Sequence, residues 1–275
     1  MDLIDLWFFV GLFLLGLALG SFANVVIWRF PRGESVVSPP SACPECAAAI
    51  TWRDNVPVLS WLLLRARCRA CQAPISARYP IVELLSALLW LVAALFFGVG
   101  AQAIVVGIFF WTLLVLTFID IDTMRLPNPI VGALGVFGAA LAVYSHFAAV
   151  PVLPFTHEPA IGSPLLQALI GTLTAGGVSL AMAQLYKGVR GRAGMGMGDV
   201  KLLAAIGPFL GVYTIGVLFA GSVLGALWAL SGAAVKQLDI NARIPFGPFL
   251  AAAAVLVALF GPDVWHWYVA LVDVS

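Results

Sequence analysis

Eight apolar stretches, divided by glycine-rich turns or basic loops, leave this 275-residue chain few ways to fold. They run roughly Leu3–Val26, Pro80–Phe97, Ala101–Ile119, Pro129–Val150, Leu165–Tyr186, Val200–Leu210, Tyr213–Val235 and Pro248–Ala270. About 20 apolar residues cross a bilayer as a helix. Inside lipid, a helix satisfies its own backbone. The expected fold is therefore an all-α polytopic membrane protein with about eight transmembrane helices, embedded in a lipid bilayer. Only 10% of the residues are charged, against about 25% in soluble domains. The sixth stretch is short, and Gly207-Pro208 interrupts it. The first residues carry Asp2 and Asp5 and no Lys or Arg, unlike the basic start of a cleaved signal peptide. The first stretch is thus expected to stay as a span.

Basic residues orient the spans, because cytosolic loops collect Lys and Arg. All 14 fall on one side of the eight-span arrangement. Arg29, Arg32, Arg53, Arg65, Arg67, Arg69 and Arg78 lie between spans 1 and 2, and Arg125 between spans 3 and 4. Lys187, Arg190, Arg192 and Lys201 flank the entry to span 6, and Lys236 and Arg243 lie between spans 7 and 8. The opposite loops, near Gly98–Gly100, Pro151–Pro164 and Gly211, carry none. This predicts a cytosolic basic side with both termini on the other. The net charge of +1 gives no support for nucleic acid as a partner. Gly16-x-x-x-Gly20, Gly207-x-x-x-Gly211 and Gly221-x-x-x-Gly225 read as small-residue packing faces.

All four cysteines sit in the first basic loop, as Cys43-Pro44-Glu45-Cys46 and Cys68-Arg69-Ala70-Cys71. Two such turns supply four thiolates for a structural zinc ion. A cytosolic address favours metal over disulfides. With four thiolates there is no open position for water, so the zinc would be structural. The expected organisation is a first span (1–28), a zinc-binding loop (29–79) and a seven-span core (80–275). Between the cysteine pairs, residues 50–62 mix aromatic, apolar and polar types, and are expected along the membrane surface or against the spans. Glu83, at the start of span 2, reads either as an interfacial carboxylate paired with an arginine or as a site residue.

Ionisable groups at membrane helix ends are functional candidates. Asp199 follows Gly194-Met195-Gly196-Met197-Gly198 at the mouth of span 6, with Lys201 two positions on. The glycines leave room for a substrate backbone beside the carboxylate. Span 3 ends at Asp120-Ile121-Asp122, at a similar depth on the same face. Residues i and i+2 point to different sides of a helix, so one of the two faces Asp199. Asp120 lies closer to the helical run and is favoured, with Asp122 the alternative. Two carboxyls sharing a proton provide one base and one acid, the chemistry of aspartic proteases. His146, His157 and His266 lie on or near the far side, so no nucleophile–base alternative has comparable support. A proton- or ion-coupled transporter with a zinc-braced loop is the main reading from another class, and a non-enzymatic scaffold a further one.

These residues resemble the bacterial type IV prepilin peptidases. The resemblance rests on Gly20-Ser21-Phe22-Ala23-Asn24-Val25-Val26, Arg29-Phe30-Pro31, both C-x-x-C pairs and Asp54-Asn55-Val56-Pro57. It continues through Arg78-Tyr79-Pro80 with Glu83, Phe118-Ile119-Asp120, Leu126-Pro127-Asn128, Gly196-Met197-Gly198-Asp199-Val200-Lys201 and Ile244-Pro245-Phe246-Gly247-Pro248. The Gly-x-Gly-Asp element alone is shared with presenilin-like intramembrane proteases. The spacing of Asp120 to Pro127 matches the family's first catalytic aspartate, so the resemblance implies Asp120 and Asp199 as the catalytic pair. Ala23 and Asn128 stand where many relatives have Leu and Asp. The resemblance further implies cleavage of the leader of prepilins and pseudopilins at the cytosolic face of the inner membrane. N-methylation of the new N-terminus with S-adenosylmethionine would follow, in type IV pilus or type II secretion systems. A peptidase without the methyltransferase activity is the narrower reading. No Gly-x-Gly-x-x-Gly loop after a strand marks a cofactor pocket.

Overall fold

A computed structural model describes residues 2–154, 162–191, 194–234 and 244–273. His157, Arg192, Lys236, Arg243 and Val235, the expected end of the seventh segment, lie outside the described residues. The described chain is helical, with only isolated bridges, Ala42 to Ala49 and Arg67 to Pro74, in extended pairing. Two compact units divide it, Met1–Ile119 and Asp120–Ser275.

In the first unit, α1 (Leu3–Arg29) packs along α3 (Arg78–Phe97). The contact is close because Gly16 and Gly20 carry no side chain. A Cβ on Gly16 would lie 2.7 Å from Ala87 Cα, and one on Gly20 2.6 Å from Glu83 Cα. Ser86 Oγ donates to Gly16 O at 2.6 Å across the same seam. This is how helices associate in lipid, where apolar burial against a neighbour gains little over lipid tails. Trp90 lies between helices and is 2% exposed, and Gly107 on α4 (Ala101–Thr123) lacks a side chain where the Trp90 ring sits.

Between α1 and α3 the chain makes a 3-10 turn, Trp52–Asn55, and the short helix α2 (Leu59–Leu63). Trp52, Leu59, Leu62 and Leu63 of this expected interfacial stretch are exposed, while Trp61 Nε1 donates to Ile75 O at 3.0 Å.

The second unit begins at the end of α4. Met124 takes a left-handed φ of 50° and its N–H returns to Asp120 O at 2.8 Å, which stops the helix. Leu126 is buried, and Pro129 opens α5 (Asn128–Ala148). Pro suits the first turn of a helix because its missing N–H has no partner there. The chain continues through α6 (Pro164–Gly171), a π-helical turn over Thr172–Gly177 and α7 (Val178–Arg190). It ends with α8 (Met197–Leu210), α9 (Thr214–Ala234) and α10 (Gly247–Asp273). Gly207 of α8 meets the Thr172 backbone with no room for a Cβ, and a Cβ on Gly176 would lie 2.8 Å from Ala204 Cβ.

Among the described residues, seven helical runs are long and apolar enough to cross a membrane, against eight expected segments. The difference is local. The run Met197–Gly232 has 36 residues, or about 54 Å if straight, nearly twice the hydrocarbon core. It is not straight. Pro208 leaves α8 helical to Leu210, and the break comes at Gly211, with φ 53° and ψ −136°. Beyond it α9 runs antiparallel to α10. Trp228 and Phe249 rings lie 6.4 Å apart near one end, and a Cβ on Gly261 would lie 3.6 Å from Tyr213 Cβ near the other. The short sixth segment and the seventh are thus two arms of one apolar run.

Candidate active site

The last turn of α4 presents its two aspartates differently. Asp120 continues the buried stripe Phe109, Leu113 and Leu116 and is 5% exposed. Asp122, two residues and about 200° further round the helix, is exposed. Asp120 Oδ2 accepts the backbone N–H of Gly247, at the first turn of α10, at 3.0 Å. A Cβ on Gly247 would lie 2.7 Å from that oxygen, so only glycine lets the backbone approach.

Asp199 occupies the third position of α8, with Gly196 as N-cap. Its carboxylate accepts from the Gly196 backbone, and its own N–H donates to Gly196 O at 3.1 Å. The reach of an acidic side chain back to the N-cap N–H is the second half of a capping box. A Cβ on Gly196 would lie 2.9 Å from Asp199 Oδ2. Asp199 is half-buried, and the Asp120 carboxyl stands near enough to act on it coulombically. Two carboxyls from helices far apart in sequence therefore stand within electrostatic reach of one another, each bordered by a glycine.

The other candidate supports sit around this pair in different roles. Gly198 faces the turn before α5, not open space, and a Cβ there would lie 3.3 Å from Leu126 Cβ. Its missing side chain admits Leu126. Lys201 Nζ donates to Asn128 Oδ1 at 2.9 Å, tying α8 to α5. Gly247 is a site residue that sequence reasoning does not single out. Its position in Ile244-Pro245-Phe246-Gly247-Pro248 is the available signal, but nothing in that string indicates which carboxylate it meets.

Glu83 lies in the first unit. It is 8% exposed and accepts the Val58 N–H at Oε2 (2.7 Å) and the Ser21 hydroxyl. The expected arginine partner is not what holds it. Arg69 pairs with Asp54 in the same loop.

The four cysteines come together with all their Sγ atoms within 4.8 Å of one another. The two turns repeat one backbone pattern. Cys43 N donates to Ala48 O at 2.9 Å and Cys68 N to Ala73 O at 2.8 Å. Ala47 and Gln72, each directly after the second cysteine of its pair, take left-handed φ of 58° and 61°. Cys43 and Cys71 Sγ are 3.8 Å apart, which is the edge of a tetrahedron with about 2.3 Å zinc–sulfur bonds. The donor set therefore fits one zinc ion. Backbone N–H groups of Cys71 and Ala70 hold the Cys68 thiol down to about 7, which favours the thiolate that a metal requires. Arg69 closes a bidentate pair on Asp54, with Nη2 to Oδ1 at 2.7 Å and Nε to Oδ2 at 2.9 Å. That bond, with burial working against it, holds the Asp54 carboxyl below its ordinary value.

Comparison with known proteins identifies the family. Residues 14–97 match the model of the bacterial peptidase A24 N-terminal domain, and residues 107–230 that of the type IV leader peptidase family. The chain is 36% identical to a prepilin leader peptidase/N-methyltransferase of Aeromonas hydrophila over 95% of its own length and 94% of the relative's. It is 36% identical to the namesake in Pseudomonas putida over 91% of this chain and 90% of that one. The Bacillus subtilis (strain 168) protein of the same name is 32% identical over 94% and 96%. No solved structure matches the chain. With both family models matched in chain order and relatives aligned nearly end to end, the chain belongs to the type IV leader peptidase family.

Proposed function

We propose that the chain is a membrane aspartic endopeptidase that cleaves the leader of type IV prepilins and pseudopilins, then N-methylates the new terminus. The observation that carries the peptidase reading is that Asp120 and Asp199 stand within electrostatic reach, each against a glycine that leaves no room for a Cβ. One carboxylate takes a proton from water as it attacks the scissile carbonyl. The other protonates the carbonyl oxygen, and the pair then passes a proton to the leaving amine. Gly247 N–H on Asp120 and Gly196 N–H on Asp199 fix both carboxyls in place.

The methyltransferase reading rests on the names of the relatives, and S-adenosylmethionine would be the methyl donor. A zinc ion held by Cys43, Cys46, Cys68 and Cys71 would brace the loop and take no part in the chemistry. The basic residues favour a cytosolic active site, with both termini periplasmic, in the inner membrane. A basic leader would then stay in the cytosol while the apolar segment of the substrate lies in the bilayer.

Prepilin cleavage by purified Asp120→Asn, Asp122→Asn and Asp199→Asn variants tests this reading. Asp120→Asn and Asp199→Asn should be inactive and Asp122→Asn active. Full activity in Asp199→Asn would end the aspartic-protease reading, and ion flux without cleavage in proteoliposomes would replace it with transport.

A further inference from the structure

Glu83 is a buried carboxylate that the peptidase chemistry does not use. Its partners are two neutral donors, the Val58 N–H and the Ser21 hydroxyl. An ionised carboxylate offers about four acceptor sites, so capacity remains. No Lys or Arg nitrogen is recorded within 4.0 Å of it among the described residues. Buried carboxylates without a cation are rare, because desolvation without pairing is costly.

The surroundings are built to hold this carboxylate. Gly20 lets α1 approach to the Glu83 backbone, which brings Ser21 into reach. One turn on, Asn24 Nδ2 donates to Tyr79 O at 3.2 Å and anchors the start of α3. On the other side, Leu59 N donates to Pro57 O at 2.5 Å, closing a γ-turn about Val58 with φ 60° and ψ −50°. That is the strained hand of the turn, in a region that β-branched residues avoid. The turn aims the Val58 N–H at Glu83 Oε2.

We propose that Glu83 receives the primary α-ammonium of a processed substrate and is the proton acceptor for its methylation. This rests on the reading that the chain methylates N-termini. A free α-amine has a pKa of about 8, so at neutral pH it is mostly protonated and cannot attack. Glu83 pairs with the ammonium and takes one proton. The nitrogen lone pair then forms the N–CH3 bond while the carbon–sulfur bond of a sulfonium methyl donor breaks, leaving a neutral thioether. The Val58 N–H and Ser21 hydroxyl keep Glu83 oriented through the transfer.

The test uses the purified full chain in detergent and a synthetic peptide beginning with phenylalanine, with its α-amine free or acetylated. Without methyl donor, the wild type should bind the free-amine peptide about tenfold more tightly than the acetylated one, as expected for a charge-assisted bond. Glu83→Gln should bind the two alike. With S-adenosylmethionine at pH 7, Glu83→Gln should methylate about 10²-fold more slowly. Its rate should recover as pH rises past the pKa of the amine, Glu83→Asp should restore part of it, and cleavage of intact prepilin should be unchanged. Wild-type methylation by Glu83→Gln, or equal preference for the free amine, overturns the inference. So does a joint loss of cleavage and methylation in both Glu83→Gln and Ser21→Ala, which would make Glu83 structural. A wild type that cleaves prepilin but leaves the pre-cut peptide unmethylated removes the methyltransferase reading itself, and this inference with it.

Discussion

Asp120 Oδ2 and the Gly247 N–H are joined at 3.0 Å across 127 residues of chain. The bond fixes the carboxyl at the end of α4 to the opening turn of α10. It uses one lone pair of one oxygen and leaves the other oxygen for the partner carboxyl or water.

Gly247→Ala places a methyl carbon 2.7 Å from Asp120 Oδ2, well inside van der Waals contact. The carboxyl must turn away. Displacement of a catalytic group by about 1 Å costs about 10²-fold in rate, so kcat for prepilin cleavage should fall by that order. Gly196→Ala should behave alike, since its Cβ would lie 2.9 Å from Asp199 Oδ2. Gly198→Ala meets Leu126 at 3.3 Å and should keep most activity. Steady-state kinetics with folding checked by gel filtration separate the three.

Zinc occupancy should depend on pH in one direction. The ligands bind as thiolates, so binding releases protons and weakens as pH falls. Backbone N–H groups hold the Cys68 thiol down to about 7, so its proton begins to compete with the metal near neutral pH. Competition with a colorimetric chelator at pH 8, 7 and 6 should show falling affinity, with about one zinc per chain at saturation. Cys43→Ser should lower occupancy and destabilise the loop while leaving Asp120 and Asp199 intact.

Gly20→Val should destabilise the first unit. Its added atoms meet the Glu83 backbone, with the first at 2.6 Å from Cα. Overpacking of this kind costs about 1–3 kcal/mol, readable as a lower melting temperature in detergent. A Cβ on Gly11 of the same helix would meet nothing within 4 Å, so Gly11→Ala serves as the control.

Asn128→Asp replaces a neutral acceptor of Lys201 Nζ with a charged one. The pair is exposed, where ion pairs are worth about 0–1 kcal/mol. Melting temperature should rise slightly or not at all, the gain should vanish in high salt, and cleavage should stay near wild type.

Much of this molecule is legible without coordinates. Apolar runs specify membrane helices, because a span must satisfy its backbone internally. Gly16 and Gly20 announce a close helix contact through their spacing, and two C-x-x-C pairs announce four thiolates. Asp199 stands out because a charge at a membrane helix mouth is conspicuous. The fold-back of the sixth run is only partly legible. The expected segments end at Leu210 and restart at Tyr213, and the chain does turn at Gly211; what the sequence does not show is that Gly207-Pro208, the more usual interrupter, leaves the helix unbroken. Glu83 invites an arginine partner in the sequence, because side-chain charge is visible there and a backbone N–H such as that of Val58 is not.

The sequence by itself determined the helical membrane class, the cysteine site and the pair of acidic helix ends, all properties of composition and local period. Tertiary structure alone decided that Asp120 turns inward while Asp122 is exposed, that Gly247 and Gly196 press against the two carboxyls, and that Glu83 is held by a strained turn. The reason is geometric. A residue's type and its place on a helix follow from neighbours a few positions away, whereas the group facing it across a helix seam comes from a remote part of the chain, and backbone donors look alike at every position.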